Sequence, residues 1–302
     1  MNSKTRSFMA SIGLILVTVI WGFAFVVVKD SLDSIGPVWM VAFRFTIAAI
    51  GLSLFTFKKF KNKTRHDWFN GLITGFFLYA AYLTQTIGCN YTTAGKNAFL
   101  TTVYVMLVPI LSWPLYKKRP GWYVFVAAAM SLTGIGLLSL GNGDAGINIG
   151  DILTLICGLF YALHILWTEK CNKEDSDTIF LTVQQFIFAS LFAWLTAPFI
   201  DGAFPVKGIM NSRVIISMLY LGVLSSLIAF LLQNISLKYL PGPLASLFMS
   251  FESVFGILFS VMILHEAVSL RMGIGCLLIF LAVVLAETVP GLLKNQNKKR
   301  TL

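Results

Sequence analysis

Charge is scarce in this chain. Asp, Glu, Lys and Arg make up 12% of its 302 residues, while hydrophobic residues reach 57%. Soluble domains carry about 25% charged residues, so there is too little polar surface here to wrap a water-soluble globule. Cysteine is almost absent: Cys89, Cys157, Cys171 and Cys276 show no C-x-x-C spacing, which argues against a metal ribbon or a disulfide framework and leaves them as small apolar fillers. With 24 glycines and 9 prolines in 302 residues, collagen-like and low-complexity classes also fail. No nucleotide-binding P-loop is present, so the chain alone is no primary pump. What remains is a polytopic membrane protein with a mean hydropathy of +0.80.

A helix needs about 20 apolar residues to cross a hydrocarbon core. Ten such runs stand at 8–28, 38–57, 68–88, 97–116, 122–140, 151–168, 178–198, 213–234, 243–264 and 271–289. They are too long, and lack the alternation, for barrel strands. The connections are too short to hold a soluble domain. Lys4 and Arg6 precede the first run as in a signal peptide, but no A-x-A pattern follows before Lys29, so this run is read as an uncleaved span.

The formal charge of +10 needs a location before it needs a partner. With ten spans and both termini on one side, 17 Lys and Arg fall on that side and 5 on the other, Arg44 lying within a span. Basic loops face the cytoplasm. The excess therefore sets orientation and implies no nucleic acid; the basic tail at 291–302 makes only generic contact with anionic lipid.

The chain repeats itself. A shift of 148 lays residues 82–140 on 230–288 without a gap, and Gln85, Ile87 and Tyr91 meet Gln233, Ile235 and Tyr239. A shift of 140 brings IWGFAF near FYALHI and FRFTIAAI near VQQFIFAS. The fold expected is all-α: ten transmembrane helices as two five-helix repeats, residues 1–140 and 151–290, joined by a loop at 141–150. Five spans per half invert the second half relative to the first, an arrangement typical of secondary transporters.

The residues that carry a family likeness are WGFAFVVVK in the first run, FRFTIAA in the second, NYTTAGKNAFLTTVYVMLVPILS through the fourth, and LKYLPGPLASLFMSFESVFGILFSVMILHEAVS in the second half. Together they resemble the EamA family of the drug/metabolite transporter superfamily, over essentially the whole chain and in two copies. The resemblance implies small-metabolite transport, often export, across a bacterial inner membrane. It also implies a central cavity lined by spans one to four and six to nine, with spans five and ten peripheral. Two positions depart from the family pattern: Ser253 follows Glu252 where the family often has proline, and His265 replaces the glycine of a Gly-Glu turn.

A charge at the bilayer centre costs roughly 2.5–3.5 kcal/mol on insertion scales, so each buried one needs an account. Arg44 and Glu252 lie well inside spans two and nine, where they can pair as a structural unit or serve transport. Glu252 is the candidate for proton coupling. His164, in span six, is either a bonded bundle residue or a pH-responsive group. Glu169 and Glu287 are expected to reach the interface. Gln85 and Gln233 hold matched positions in the two halves. Asn97, Thr101 and Tyr104 recur at i, i+4 and i+7, and so share one face of span four. Trp21, Tyr79, Tyr82 and Tyr161 are candidates for aromatic walls of the same cavity. Pro109 and Pro114 are expected to bend span four. GNGDAG at 141–146 fits the spacing of a dinucleotide loop but follows an apolar helix, so it is a turn.

The expected function is a secondary carrier, an exporter or exchanger of a small polar or amphipathic metabolite such as an amino acid. No cofactor or metal is expected. The expected partners are a small-molecule substrate and membrane lipid, with a homodimer left open. The alternative is an intramembrane enzyme, which needs a convergent catalytic set, and HEAVS at 265–269 supplies only half of a zinc motif. A sensor or scaffold would lack a soluble output domain.

Overall fold

The computed structural model describes residues 3–32, 34–62, 64–92, 94–117, 119–139, 148–174, 176–264 and 270–300. Among them there are helices and turns and no strand. Without water in a bilayer core, each backbone N–H and C=O must find its partner within the chain, and an α-helix satisfies them locally. The helices are α1 (Ser3–Ser31), α2 (Pro37–Thr56), α3 (Arg65–Tyr91), α4 (Ala94–Thr101), α5 (Tyr104–Tyr116), α6 (Trp122–Ser139) and α7 (Ile149–Lys173), followed by α8 (Thr178–Ile200) and the short α9 (Val206–Ile209). Then come α10 (Ser212–Leu219) and α11 (Ala229–Ser236), joined without interruption by a π-helical stretch over Tyr220–Ile228, and α12 (Gly242–Met249), α13 (Phe251–Leu264) and α14 (Leu270–Arg300).

Among the described residues, seven helical stretches are long and apolar enough to cross a membrane, and Tyr104–Tyr116 and Trp122–Leu137 are shorter apolar helices. Large apolar side chains such as Phe55, Phe199 and Leu270 point outward. On a soluble surface that would drive aggregation; against lipid tails it costs nothing. The chain is a multi-pass membrane protein.

Two stretches expected to be continuous are broken. Within 97–116, α4 ends at Thr101 and α5 starts at Tyr104. Across the gap the bonds tighten to three-residue spacing, Val105 N to Thr102 O at 3.0 Å and Met106 N to Val103 O at 3.0 Å. Pro109 lacks the N–H that would bond Val105 O, so the following turn cannot pull the break straight. The prolines themselves sit inside α5; the interruption lies upstream of the bend expected at Pro109 and Pro114. Within 243–264, Ser250 separates α12 from α13, its N–H shared between Ser246 O and Leu247 O and its hydroxyl bonded to Leu247 O at 2.7 Å. The turns expected at 141–146 and at His265-Glu266, the HEAVS half-motif and the Glu287 side chain lie outside the described residues.

Polar caps fix the helix ends. Thr64 with Asp67, and Asn148 with Asp151, form capping boxes at the starts of α3 and α7. Antiparallel α2 and α8 are tied at both ends. Lys59 Nζ meets Asp177 at 2.8 Å, and Asp177 caps α8. At the other end Asp201 Oδ2 accepts from Val38 N at 2.7 Å and Trp39 N at 2.9 Å, supplying the cap that Gly36 does not. A Cβ at Gly36 would collide with the Asp201 carboxylate.

Burial pushes the Asp201 carboxyl above its ordinary value, the two backbone bonds opposing that shift only in part. A raised folded-state value means that folding favours the protonated form. The contribution is therefore present at low pH and falls as pH rises through the raised value. Asp201→Asn keeps the acceptor and sheds the buried charge, so it should match or exceed the wild-type melting temperature in detergent, by a margin that widens as pH rises through the carboxylate range. Asp201→Ala should lose about 1 kcal/mol. An Asn variant as damaged as the Ala variant would contradict this account.

Candidate functional site

A cavity with about 630 Å³ of empty space, its mouth included, lies among α1, α2, α3, α4, α5, α7, the π-helical stretch, α11, α12 and α13. Ten of the twelve residues singled out in the sequence line it: Trp21, Arg44, Tyr82, Gln85, Asn97, Thr101, Tyr104, Tyr161, Gln233 and Glu252. Ala24, Phe25, Val28, Thr86, Cys89, Ile165, Ser225 and Met249 complete the lining. Among the described residues, neither α6 nor α14 contributes to the lining, and these two helices pack on each other. α8, expected as a wall, contributes none either.

Tyr79 and His164 stand elsewhere. Tyr79 lies one turn beyond Tyr82, away from Cys89, and its hydroxyl shares a 2.6 Å bond with Thr196 on α8. His164 is fully buried, its Nε2 2.9 Å from Gln185 Oε1 and its ring edge-on to Phe230 at 5.7 Å. On α7 the cavity face carries Tyr161 and Ile165. Position 164 is rotated about 100° from 165 and meets α8 instead.

The walls are aromatic and the polar groups are bonded in a chain. Tyr82 meets Tyr161 edge-on at 5.6 Å, and Tyr161 meets Tyr104 at 6.2 Å. Gln85 Nε2 donates to Thr101 Oγ1 at 3.2 Å while its Oε1 accepts from Tyr161 at 3.4 Å. Asn97 Nδ2 donates to Gln85 O at 3.1 Å and to Thr154 Oγ1 at 2.9 Å. The three polar residues of span four thus keep a common face across the break. Tyr104 donates to Glu252 Oε1 at 3.2 Å.

Arg44 and Glu252 border one cavity without forming an ion pair. Arg44 Nε donates to Ser226 Oγ at 2.9 Å, and Nη2 to Ser225 Oγ at 2.9 Å and to Tyr82 at 3.4 Å. The guanidinium sits 4.3 Å from the Tyr82 ring centroid. Ser225 and Ser226 belong to the π-helical stretch, whose wider turn re-aims its polar groups. Trp21 Nε1 donates to Ser225 O at 2.9 Å, and Tyr220 donates to Ile20 O at 2.7 Å, lacing this stretch to α1. The two serines were not singled out in the sequence. Their signal is a pair of hydroxyls in the middle of the apolar run 221–230.

The cavity reaches toward the ends of α1 and α3, at Val28 and Cys89, where exposed Lys29 donates to Cys89 O at 2.9 Å. In the opposite direction it ends on an apolar layer that includes Leu14, Val108, Leu166, Leu237 and Leu247. Beyond that layer lies a second charged cluster. Glu169 is 1% exposed, not at the interface as expected. It accepts from Tyr116 at 3.0 Å and pairs with Lys173 at 2.8 Å, and Lys173 lies 3.8 Å from the Tyr116 ring centroid. A Cβ on Gly242, at the start of α12, would stand 2.8 Å from its carboxylate. The ends of α5 and α7 and the start of α12 therefore converge on one carboxylate. Among the described residues no three His, Cys, Asp or Glu side chains converge as metal ligands would.

Comparison with known proteins agrees with this geometry. A family model described as the EamA-like transporter family matches the chain twice, over residues 8–140 and 148–288. An uncharacterized transporter of Archaeoglobus fulgidus is 35% identical over 278 residues, covering 92% of this chain and 85% of its own. The uncharacterized transporter YoaV of Bacillus subtilis is 23% identical, covering 89% of this chain and 93% of its own. A crystal structure sharing 16% identity superposes with a TM-score of 0.76, covering 93% of this chain and 98% of its own, and thus has the same fold.

Glu252 and Trp21 reach the same cavity because α1 and α13 touch backbone to backbone: a Cβ on Gly22 would lie 2.7 Å from Gly256 N. Backbone cannot yield as a flexible side chain does. Gly22→Ala is expected to cost about 1–3 kcal/mol, read as a lower apparent melting temperature of the purified protein. A melting temperature equal to wild type would mean that the helices do not approach this closely.

Proposed function

Because the chain belongs to the EamA-like transporter family, we propose that it is a secondary carrier of a small polar or amphipathic metabolite, such as an amino acid, working by alternating access in a bacterial inner membrane. It is a transporter and not an enzyme in this reading. The observation that carries the proposal is the cavity holding Arg44 and Glu252 where two matched halves of the chain meet. Ten spans are intended, with α4 and α5, α10 and α11, and α12 and α13 each forming one, and with both termini cytoplasmic.

Three features support two inverted halves. The helix breaks fall at matched places, Thr102–Val103 and Ser250. Helix neighbours also correspond when each span is replaced by the one five places on: α3 against α7 matches α11 against α1, and α1 against α13 matches α7 against α5. The spans of α2 and α8, and those of α6 and α14, pair with their own counterparts. Lastly, Tyr104 and Glu252, 148 residues apart, bond directly to each other. Residues related by a two-fold axis can touch only on that axis, so the axis runs through the cavity.

The reading has one side open and one side closed. The 140-residue shift that brings IWGFAF near FYALHI sets Lys29 against Glu169. Lys29 is exposed beside the cavity's outer end; Glu169 is enclosed by Tyr116, Lys173 and Gly242 beneath the apolar layer. Opening the closed side would break that cluster, while the outer end closes over Lys29. Export, exchange and proton coupling through Glu252 belong to the same proposal.

Reconstitution into proteoliposomes tests it: uptake and efflux of a metabolite panel, with and without a pH gradient. Transport of at least one metabolite is expected, and none against protein-free vesicles would overturn the reading. Glu252→Gln should leave the protein folded and remove the response to the pH gradient; an unchanged response would exclude Glu252 from coupling. Glu169→Gln and Tyr116→Phe should loosen the closed side. Spin labels at Arg119 and Glu174 in a cysteine-free background should then gain a longer distance, and identical distributions in wild type and variants would refute the latch.

A further inference from the structure

Arg44 carries a charge that no described residue neutralises. Its Nε and Nη2 are engaged by Ser226, Ser225 and Tyr82. These are neutral hydroxyls: they orient a guanidinium but bring no opposite charge. Among the described residues, no carboxylate lies within ion-pair distance of Arg44, and no acceptor bonds its Nη1. The other charged residue of the cavity wall, Glu252, takes its bond from Tyr104. A buried cation is ordinarily paired, or else gives up its proton; arginine cannot do the second.

The unpaired edge is not sealed in packing. Arg44 is 3% exposed, yet none of its nitrogens is among the enclosed donors without a partner, and the residue lines the cavity. The free edge of the fork thus borders the space that a substrate would fill. We infer that Arg44 is the receptor for an anionic group of the substrate, a carboxylate, which it meets through this free edge while Ser225 and Ser226 on the π-helical stretch hold the guanidinium in position. The inference rests on the carrier reading and deepens it.

A carboxylate suits the site better than a phosphate. Among the described residues, Arg44 is the single cation of the lining, and Glu252 stands in the same wall. A monoanion balances one guanidinium, whereas a phosphate dianion would leave a surplus negative charge beside Glu252 in an aromatic, weakly polarisable surround. Nη1, whose N–H groups no described acceptor takes, is placed to donate to a carboxylate oxygen. Ser225 and Ser226 are positioning residues: they touch the arginine, and in this assignment the arginine touches the substrate.

The experiment is counterflow in proteoliposomes with matched probes: several L-amino acids and 2-oxo acids, their primary amides, and phosphate monoesters of similar size. Acids should move at least tenfold faster than their amides, and phosphate esters no faster than the amides. Arg44→Gln should lower the acids to the rate of the amides, and Arg44→Lys should keep part of the preference. Amides moving as fast as acids, or phosphate esters moving fastest, would overturn the assignment. Acids that move equally well through Arg44→Gln would overturn it while leaving the carrier reading intact. If none of the probes moves, both fall. Should Arg44→Gln fail to yield folded protein, Ser226→Ala decides. It keeps the charge and removes one positioning bond, so KM for the acids should rise several-fold with kcat nearly unchanged and amide transport unaltered. An unchanged KM would overturn the role of the serines.

Discussion

A guanidinium cannot shed its proton, and in a bundle with no water to spare it must still be solvated. The centre of this molecule is arranged around that constraint. The rod from Ser212 to Ser236 widens into a π-helix at the level of Arg44, placing the hydroxyls of Ser225 and Ser226 on Nε and Nη2. Tyr82 adds a ring face and a third oxygen. Trp21 and Tyr220 then stitch the widened stretch to α1. These groups supply dipoles but no charge, so the charge itself is left facing the cavity. A structural ion pair with Glu252 would have closed the question electrostatically; the two residues instead share a cavity and keep separate partners.

Polar caps and close backbone approaches hold the walls of that cavity. Asp201 ties the start of α2, the helix that carries Arg44, to the end of α8. The contact of Gly22 with Gly256 sets α1 against α13, the helix that carries Glu252. The helix breaks bring Thr101 and Tyr104, on either side of one gap, and Met249 and Glu252, on either side of the other, to the same space. In a proposed carrier that rocks one half against the other, those breaks are joints already present, and the bond between Tyr104 and Glu252 lies at the pivot.

Much of this was legible in the sequence, and the exceptions have physical reasons. Apolar runs report lipid directly, so the multi-pass membrane class and the matched glutamines of the cavity could be read without coordinates. Asn97, Thr101 and Tyr104 could be placed together because helical periodicity survives a short break. The breaks themselves could not be read: they come from a change in hydrogen-bond spacing, and the visible prolines mark a neighbouring turn. Tyr79 and His164 look like cavity residues by type and depth, but a rotation or a step of one turn hands each to α8. Glu169 follows an apolar run, where a carboxylate normally meets headgroups; only the convergence of Tyr116, Lys173 and Gly242 encloses it. Ser225 and Ser226 were overlooked because a hydroxyl pair in an apolar run ordinarily bonds its own helix, and the π-helical turn redirects it.

The central claim is that this one cavity is reached in turn from both sides of the membrane. Its most direct measurement uses a single cysteine at Gln85, in a background where Cys89, Cys157, Cys171 and Cys276 are replaced, with an impermeant thiol reagent added to sealed right-side-out and inside-out vesicles. The account predicts reaction from either side, each slowed when the opposite side is held open. Reaction from one side alone, under every condition that leaves the protein folded, would contradict it.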